Sequence, residues 1–104
     1  MPESLFAALG NDVRLNVVGL LVKGELCLCE IAPHFRQDQS VICRHLQLLE
    51  RVGVVLSRRD GQRILYRLAD HRTVRLVETA LDIIEHPGRA RPVGPRVSKE
   101  ARKC

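Results

Sequence analysis

Residues 25–46 read ELCLCEIAPHFRQDQSVICRHL, and this run constrains the fold most because it sets two closely spaced cysteines directly ahead of an amphipathic helix. Cys27 and Cys29 stand two positions apart. In a regular α-helix their side chains would diverge by about 200° and no single ion could meet both sulfurs. Pro33 changes that expectation. It cannot donate to the carbonyl of Cys29, and its ring crowds that carbonyl, so the helix holding Ile31 and Phe35 is expected to be loose at its start, with both sulfurs able to turn to one side. The alternative is that the two cysteines are small buried hydrophobes.

The second half of the run is more regular. After Arg36 and Gln37 comes Asp38, a good N-cap. Val41, Ile42, His45, Leu46, Leu48, Leu49 and Val52 then recur at helical spacing until Gly53 ends the pattern. The opposite face carries Gln39, Ser40, Cys43, Arg44 and Gln47, whose amide, hydroxyl and guanidinium groups suit base edges and phosphates. An ordinary solvated face would carry similar groups. Two helices joined by a short polar turn, the second polar at its start, fit a helix-turn-helix.

Charge placement supports this reading. The formal net charge is +5, and the stretch after His86, with six Lys or Arg against one Glu, holds the whole excess. Residues 1–35 hold two basic and four acidic groups, whereas residues 36–67 hold seven Arg against three acids. The positive field is thus concentrated on the candidate reading segment. With 3% aromatic residues and no Trp, the chain lacks stacking platforms for single strands, and double-stranded DNA is the expected partner. A chain of 104 residues should form one small domain, strengthened by dimerising. No signal peptide or span-length apolar run is visible, so a cytoplasmic location without membrane contact is expected. There, four cysteines point to metal binding or thiol reactivity rather than to a disulfide framework.

In chain order, residues 4–9 form a short apolar helix stopped by Gly10. Asn11 caps a second helix through Arg14, Leu15, Val17, Val18, Leu21 and Val22, which Gly24 ends. Beyond the reading helix, two β-rich runs, residues 54–59 and 63–68, flank an Asp60-Gly61 turn and predict a hairpin. Arg58, Arg59 and Arg63 surround its tip, where a wing would meet the sugar-phosphate backbone, although basic hairpin tips also occur as plain solvated turns. Asp70 caps a last helix whose Val74, Val77, Leu81 and Ile84 form a narrow apolar stripe for a core or a partner helix. Pro87-Gly88 ends it. The expected organisation is a DNA-binding and dimerisation domain over residues 1–86 and a flexible basic tail over residues 87–104.

From about Leu5 to Ile84 the chain resembles the ArsR/SmtB family of winged helix-turn-helix repressors. The residues that carry the likeness are Ala8-Leu9-Gly10 with Arg14-Leu15, the ELCLCE run, Ser40 with Arg44-His45-Leu46, Gly53-Val54-Val55, the Arg58-Arg59-Asp60-Gly61 wing and Tyr66-Arg67-Leu68. The resemblance implies a mainly α winged helix-turn-helix with a small β-hairpin, homodimeric, that binds a palindromic operator and lets go when an inducer binds. It implies further that Cys27 and Cys29 are the metal site, taking trivalent arsenic or antimony as thiolates, a match of soft donors to soft centres. The third cysteine common in arsenic-sensing relatives is replaced by Ala32. Cys43 stands where Ser is usual and reads as a tolerated small residue, and Cys104 as a free terminal thiol, though either remains open as a third ligand. Of the family's second, zinc-binding site on the last helix only Asp70 and His86 remain, so zinc is not expected there.

The expected function is an arsenite- or antimonite-responsive repressor, and not an enzyme. Gln39, Ser40, Arg44, His45, Gln47, Arg58, Arg59 and Arg63 are its expected DNA-binding residues, and metalloid binding to Cys27 and Cys29 causes release. The alternatives are a repressor responding to redox or reactive-sulfur chemistry at the same thiols and a sensor of a soft divalent metal. A disulfide between Cys27 and Cys29 themselves is disfavoured, since cysteines two apart close a small strained ring. A thiol enzyme is the reading from another class, against which no Cys-x-x-Cys, acid-base cluster or Gly-rich phosphate loop is found.

Overall fold

The computed structural model describes residues 2–88. Helix α1 (Pro2–Leu9) is followed by α2 (Asp12–Leu20), which tightens into a 3-10 turn at Leu21–Lys23. Strand β1 (Leu26–Cys27) leads directly into α3 (Leu28–Ile31) and a second 3-10 turn at Ala32–His34. Helix α4 (Gln39–Arg51), strands β2 (Val55–Asp60) and β3 (Arg63–Leu68), and helix α5 (His71–Glu85) complete the order. The architecture is the expected winged helix-turn-helix, mainly α with a β-hairpin, to which β1 adds a third strand. The basic tail from residue 89 onward, Cys104 included, lies outside the described residues.

Helix ends follow their local sequence. Asn11 Oδ1 accepts from Arg14 N at 3.0 Å at the start of α2, and Asp70 accepts from Arg72 N and Thr73 N at the start of α5. Asp38 occupies the N-cap position of α4, but its side chain makes no capping bond; its main-chain carbonyl takes Val41 N and Ile42 N instead. At the other end Gly53 N donates to Glu50 O and Val54 N to Leu49 O, the paired bonds of a Schellman motif. That motif needs the positive φ of 86° found at Gly53.

Helix α4 is the centre of the core. Ile42, Leu46 and Leu49 are fully buried on one face, and around them pack Val17, Val18 and Leu21 from the α2 region, Val54 and Val55, and Tyr66 and Leu68 of β3. Each such aliphatic side chain contributes about 1.5–3 kcal/mol by leaving water. The apolar stripe of α5 divides: Val77 is buried and Val74 and Leu81 pack against the core, whereas Ile84 is exposed together with Ile83 and, on α1, Phe6.

The structure departs from expectation at three places. The helix meant to hold Ile31 and Phe35 is four residues of α-helix and a 3-10 turn, with Phe35 already extended (φ −125°, ψ 154°). Pro33, which has no N–H to give, sits inside that turn. Leu26–Cys27, expected at a helix start, is instead a strand antiparallel to β3, with Leu26 opposite Tyr66 and Cys27 opposite Leu65. In the hairpin Asp60 pairs with Arg63, so the two central turn residues are Gly61 and Gln62 rather than Asp60 and Gly61. Gly61 at φ 64°, followed by a residue of negative φ, gives the turn the II′ pattern that matches strand twist.

Candidate metal centre and nucleic-acid interface

Cys27 is both the last residue of β1 and the N-cap of α3, with extended backbone (φ −83°, ψ 160°). Cys29 lies in the first turn of the helix. An N-cap side chain folds back over the first turn, so the two thiols meet although they are two apart in sequence. Their Sγ atoms are joined as a disulfide across a Cα–Cα distance of 5.2 Å, within the usual range of about 4.4–6.8 Å. The expectation that ring size disfavours this pairing is therefore corrected: the strand-to-helix junction at Cys27 sets the two Cα atoms at a separation that a disulfide spans. Cys27 is buried and Cys29 exposed, so the pair spans the surface. Glu30 Oε1 accepts from Cys27 N at 2.8 Å and fixes the junction.

The pair opens onto a cavity of about 240 Å³ lined by Cys27, Leu28, Cys29, Gln39, Gln62, Arg63 and Ile64. The two cysteine sulfurs, the first residue of α4 and the tip of the hairpin therefore share one space. Two thiolates are soft donors that suit trivalent arsenic or antimony. Among the described residues no group of three or more His, Cys, Asp or Glu is placed to hold a metal ion. Ala32, where a third cysteine was sought, sits in the 3-10 turn, and Cys43 lies on α4, half-buried, 3.8 Å from Gln47 Nε2. Cys43 also adjoins Tyr66, whose phenol is pushed above its usual range by burial first and by Cys43 second. Asp70 is committed to capping α5 and to Arg72 at 2.8 Å, which with the Thr73 N–H holds its carboxyl at about 2.

Gln39, Ser40, Arg44 and Gln47 are all exposed on α4. His45 turns the other way: its Nδ1 faces Arg14 at 3.2 Å, and its pKa is lowered by partial burial, then by Arg14 and Arg44. On the hairpin Arg58, Arg59 and Arg63 are exposed. Arg63 lies 3.6 Å from Asp60. Arg58 is bound by Glu25, with Nε at 2.9 Å and Nη2 at 2.8 Å from its two oxygens.

Sequence reasoning missed Glu25, Glu30 and Arg14. Glu30 carried a readable signal, an acid three residues after an N-cap, hidden only because cysteine is not a usual cap. Glu25 carried none, since its partner is 33 positions away.

A sequence profile described as bacterial regulatory protein, arsR family, matches residues 11–57, from the cap of α2 into β2. The arsenical resistance operon repressor of Escherichia coli K12 is 42% identical over 72 residues, 68% of this chain and 62% of that protein. This chain thus spans under two thirds of that relative's length. Among solved structures, the homodimeric winged helix-turn-helix DNA-binding domain of a possible ArsR-family regulator from Mycobacterium bovis superposes with a TM-score of 0.75 at 29% identity, over 88% of this chain and 86% of that one. The AntR antimony-specific transcriptional repressor superposes with a TM-score of 0.70 at 30% identity, over 83% of this chain and 78% of that one.

Proposed function

The chain belongs to the arsR family of bacterial regulatory proteins, and from that premise we propose that it is a dimeric transcriptional repressor released from its operator by trivalent arsenic or antimony. The observation that carries this reading is the meeting of the Cys27 and Cys29 sulfurs beside Gln39 and the wing tip. In the reduced, unliganded dimer Gln39, Ser40, Arg44 and Gln47 enter the major groove of each half-site, while Arg58, Arg59 and Arg63 lie along the flanking backbone. His45, turned toward Arg14, supports α4 from behind. Arsenite exchanges two of its hydroxyls for the two thiols, releasing two waters, and so ties the start of α3 to its first turn. A coupling of about 1–3 kcal/mol suffices to change DNA affinity some 5- to 150-fold.

The test is fluorescence anisotropy of the reduced protein on duplex DNA from upstream of its gene, titrated with arsenite and antimonite, with zinc and cadmium in parallel. Release by the metalloids, abolished in Cys27→Ser and Cys29→Ser, supports the proposal. Equal release from both variants at wild-type arsenite concentration rejects it.

A second reading is favoured by the disulfide itself. Here the same pair senses oxidation: two thiols give two electrons and two protons to a peroxide, which leaves as two waters. Release by peroxide and not by arsenite selects this reading.

A further inference from the structure

Cys27 is joined to the wing by two links. The first is main-chain: Cys27 pairs with Leu65 in β3, and Leu65 pairs with Arg58 in β2, so the three residues form one row across the sheet. Directly paired residues place their side chains on the same face. The second link is through side chains. Glu25, two residues before Cys27, takes the Arg58 guanidinium at the far end of that row through Nε and Nη2 at 2.9 and 2.8 Å. This is the bidentate edge that a phosphate would also use, and one edge cannot hold a carboxylate and a phosphate together. The clasp also cancels the charge that Arg58 would bring to DNA.

We propose that Glu25 is a positioning residue that carries the state of the cysteine pair to the wing: when Cys27 and Cys29 are bridged, Glu25 holds Arg58 and withholds it from the DNA backbone. The structure is that of the bridged pair, and in it the clasp is closed. Bridging pins the N-cap of α3 to its own first turn and so keeps residues 25–27 against β3. Separation of the sulfurs frees that end of the ladder, and Glu25 then loses its hold on Arg58. The inference rests on the DNA-binding reading above but not on the identity of the inducer.

The experiment measures anisotropy on the same duplex against salt concentration for the wild type, Glu25→Gln, Arg58→Ala and the double variant. Each is taken reduced, bridged by arsenite, and bridged by diamide, which accepts two electrons and two protons from the thiols and becomes the hydrazine. In the bridged state Glu25→Gln should bind with a log-log salt slope steeper than wild type by about 0.9, one phosphate contact, or about threefold in affinity over a fourfold change in salt. Its loss of affinity on bridging should shrink correspondingly, and Glu25→Gln should change nothing in the Arg58→Ala background. An unchanged slope and unchanged release in Glu25→Gln overturn the proposal, as does an effect that persists without Arg58 or a wild type that binds DNA equally in all three states. Release by diamide but not arsenite removes the metalloid reading and leaves this inference standing.

Discussion

Arg14 Nη1 lies 3.2 Å from His45 Nδ1, and since a guanidinium only donates, the imidazole accepts on Nδ1 and carries its proton on Nε2. The same Arg14 donates through Nε to Ala8 O at 2.6 Å and through Nη2 to Ala7 O at 3.4 Å, closing the last carbonyls of α1. One side chain on α2 therefore holds the end of α1 and the inner flank of α4. This contact of α2 with α4 depends on a neutral histidine.

That dependence gives stability a pH slope. The folded His45 pKa lies below its ordinary value because burial, and then Arg14 and Arg44, disfavour the charged ring. A depressed pKa means that its contribution is complete above the unfolded value of about 6.5 and is lost as pH falls through the folded one. Thermal unfolding should show a falling Tm from pH 7.5 to 5.5, and His45→Gln should flatten that segment. An equal slope in both proteins would assign the effect elsewhere.

Cys27→Ser should separate sensing from folding. Serine is a preferred N-cap, and with Glu30 three residues on, already accepting from the residue 27 N–H at 2.8 Å, it keeps the capping box that Cys27 and Glu30 form. The variant should keep its helical circular dichroism and lie within about 1 kcal/mol of wild type in urea unfolding. It should bind DNA and fail to release it with arsenite. Loss of folding would mean that the buried sulfur is needed for packing.

Helices α2, α4 and α5 were legible because each is written locally. Asn11, Asp70 and Gly53 mark their ends, and Ile42, Leu46 and Leu49 repeat at the spacing that buries them. Strand β1 was not legible. Two residues cannot display a period, and their pairing with Leu65 and Tyr66 is decided by the hairpin, not by residues 25–29. The cysteine pair was legible in part, since the two sulfurs do turn to one side; what turns them together, however, is the N-cap geometry of Cys27 that β1 imposes and not a loose helix start ahead of Pro33. The wing arginines could be counted from sequence, but that Glu25 occupies Arg58 could not.

Gly53 tests how α4 is joined to the hairpin. A Cβ at this position would meet nothing within 4 Å, so any cost of substitution is backbone strain at φ 86° rather than a clash. Left-handed backbone costs an L-residue about 1–2 kcal/mol, offset in part by the stiffer unfolded chain. Gly53→Ala should therefore lose about 1 kcal/mol in urea unfolding, while Gly53→Asn, which tolerates this region better, should lose less. Equal losses would point to the side chain instead.

Ile83 and Ile84 at the end of α5 are 62% and 58% exposed, and Phe6 on α1 is 65% exposed. The proposed dimer covers Ile83 and Ile84 with a second copy. Burying an isoleucine contributes about 1.5–3 kcal/mol, and two-fold symmetry counts each one twice. An aspartate in the same place must instead be stripped of water without a partner. Ile83→Asp with Ile84→Asp should thus weaken self-association by well over a thousandfold, at about 1.4 kcal/mol per tenfold, and sedimentation velocity should find a monomer. Because both side chains are exposed within one chain, helical circular dichroism should be unchanged. The monomer should hold a palindromic duplex no more tightly than a half-site. A dimer that survives both substitutions would place the interface on another face.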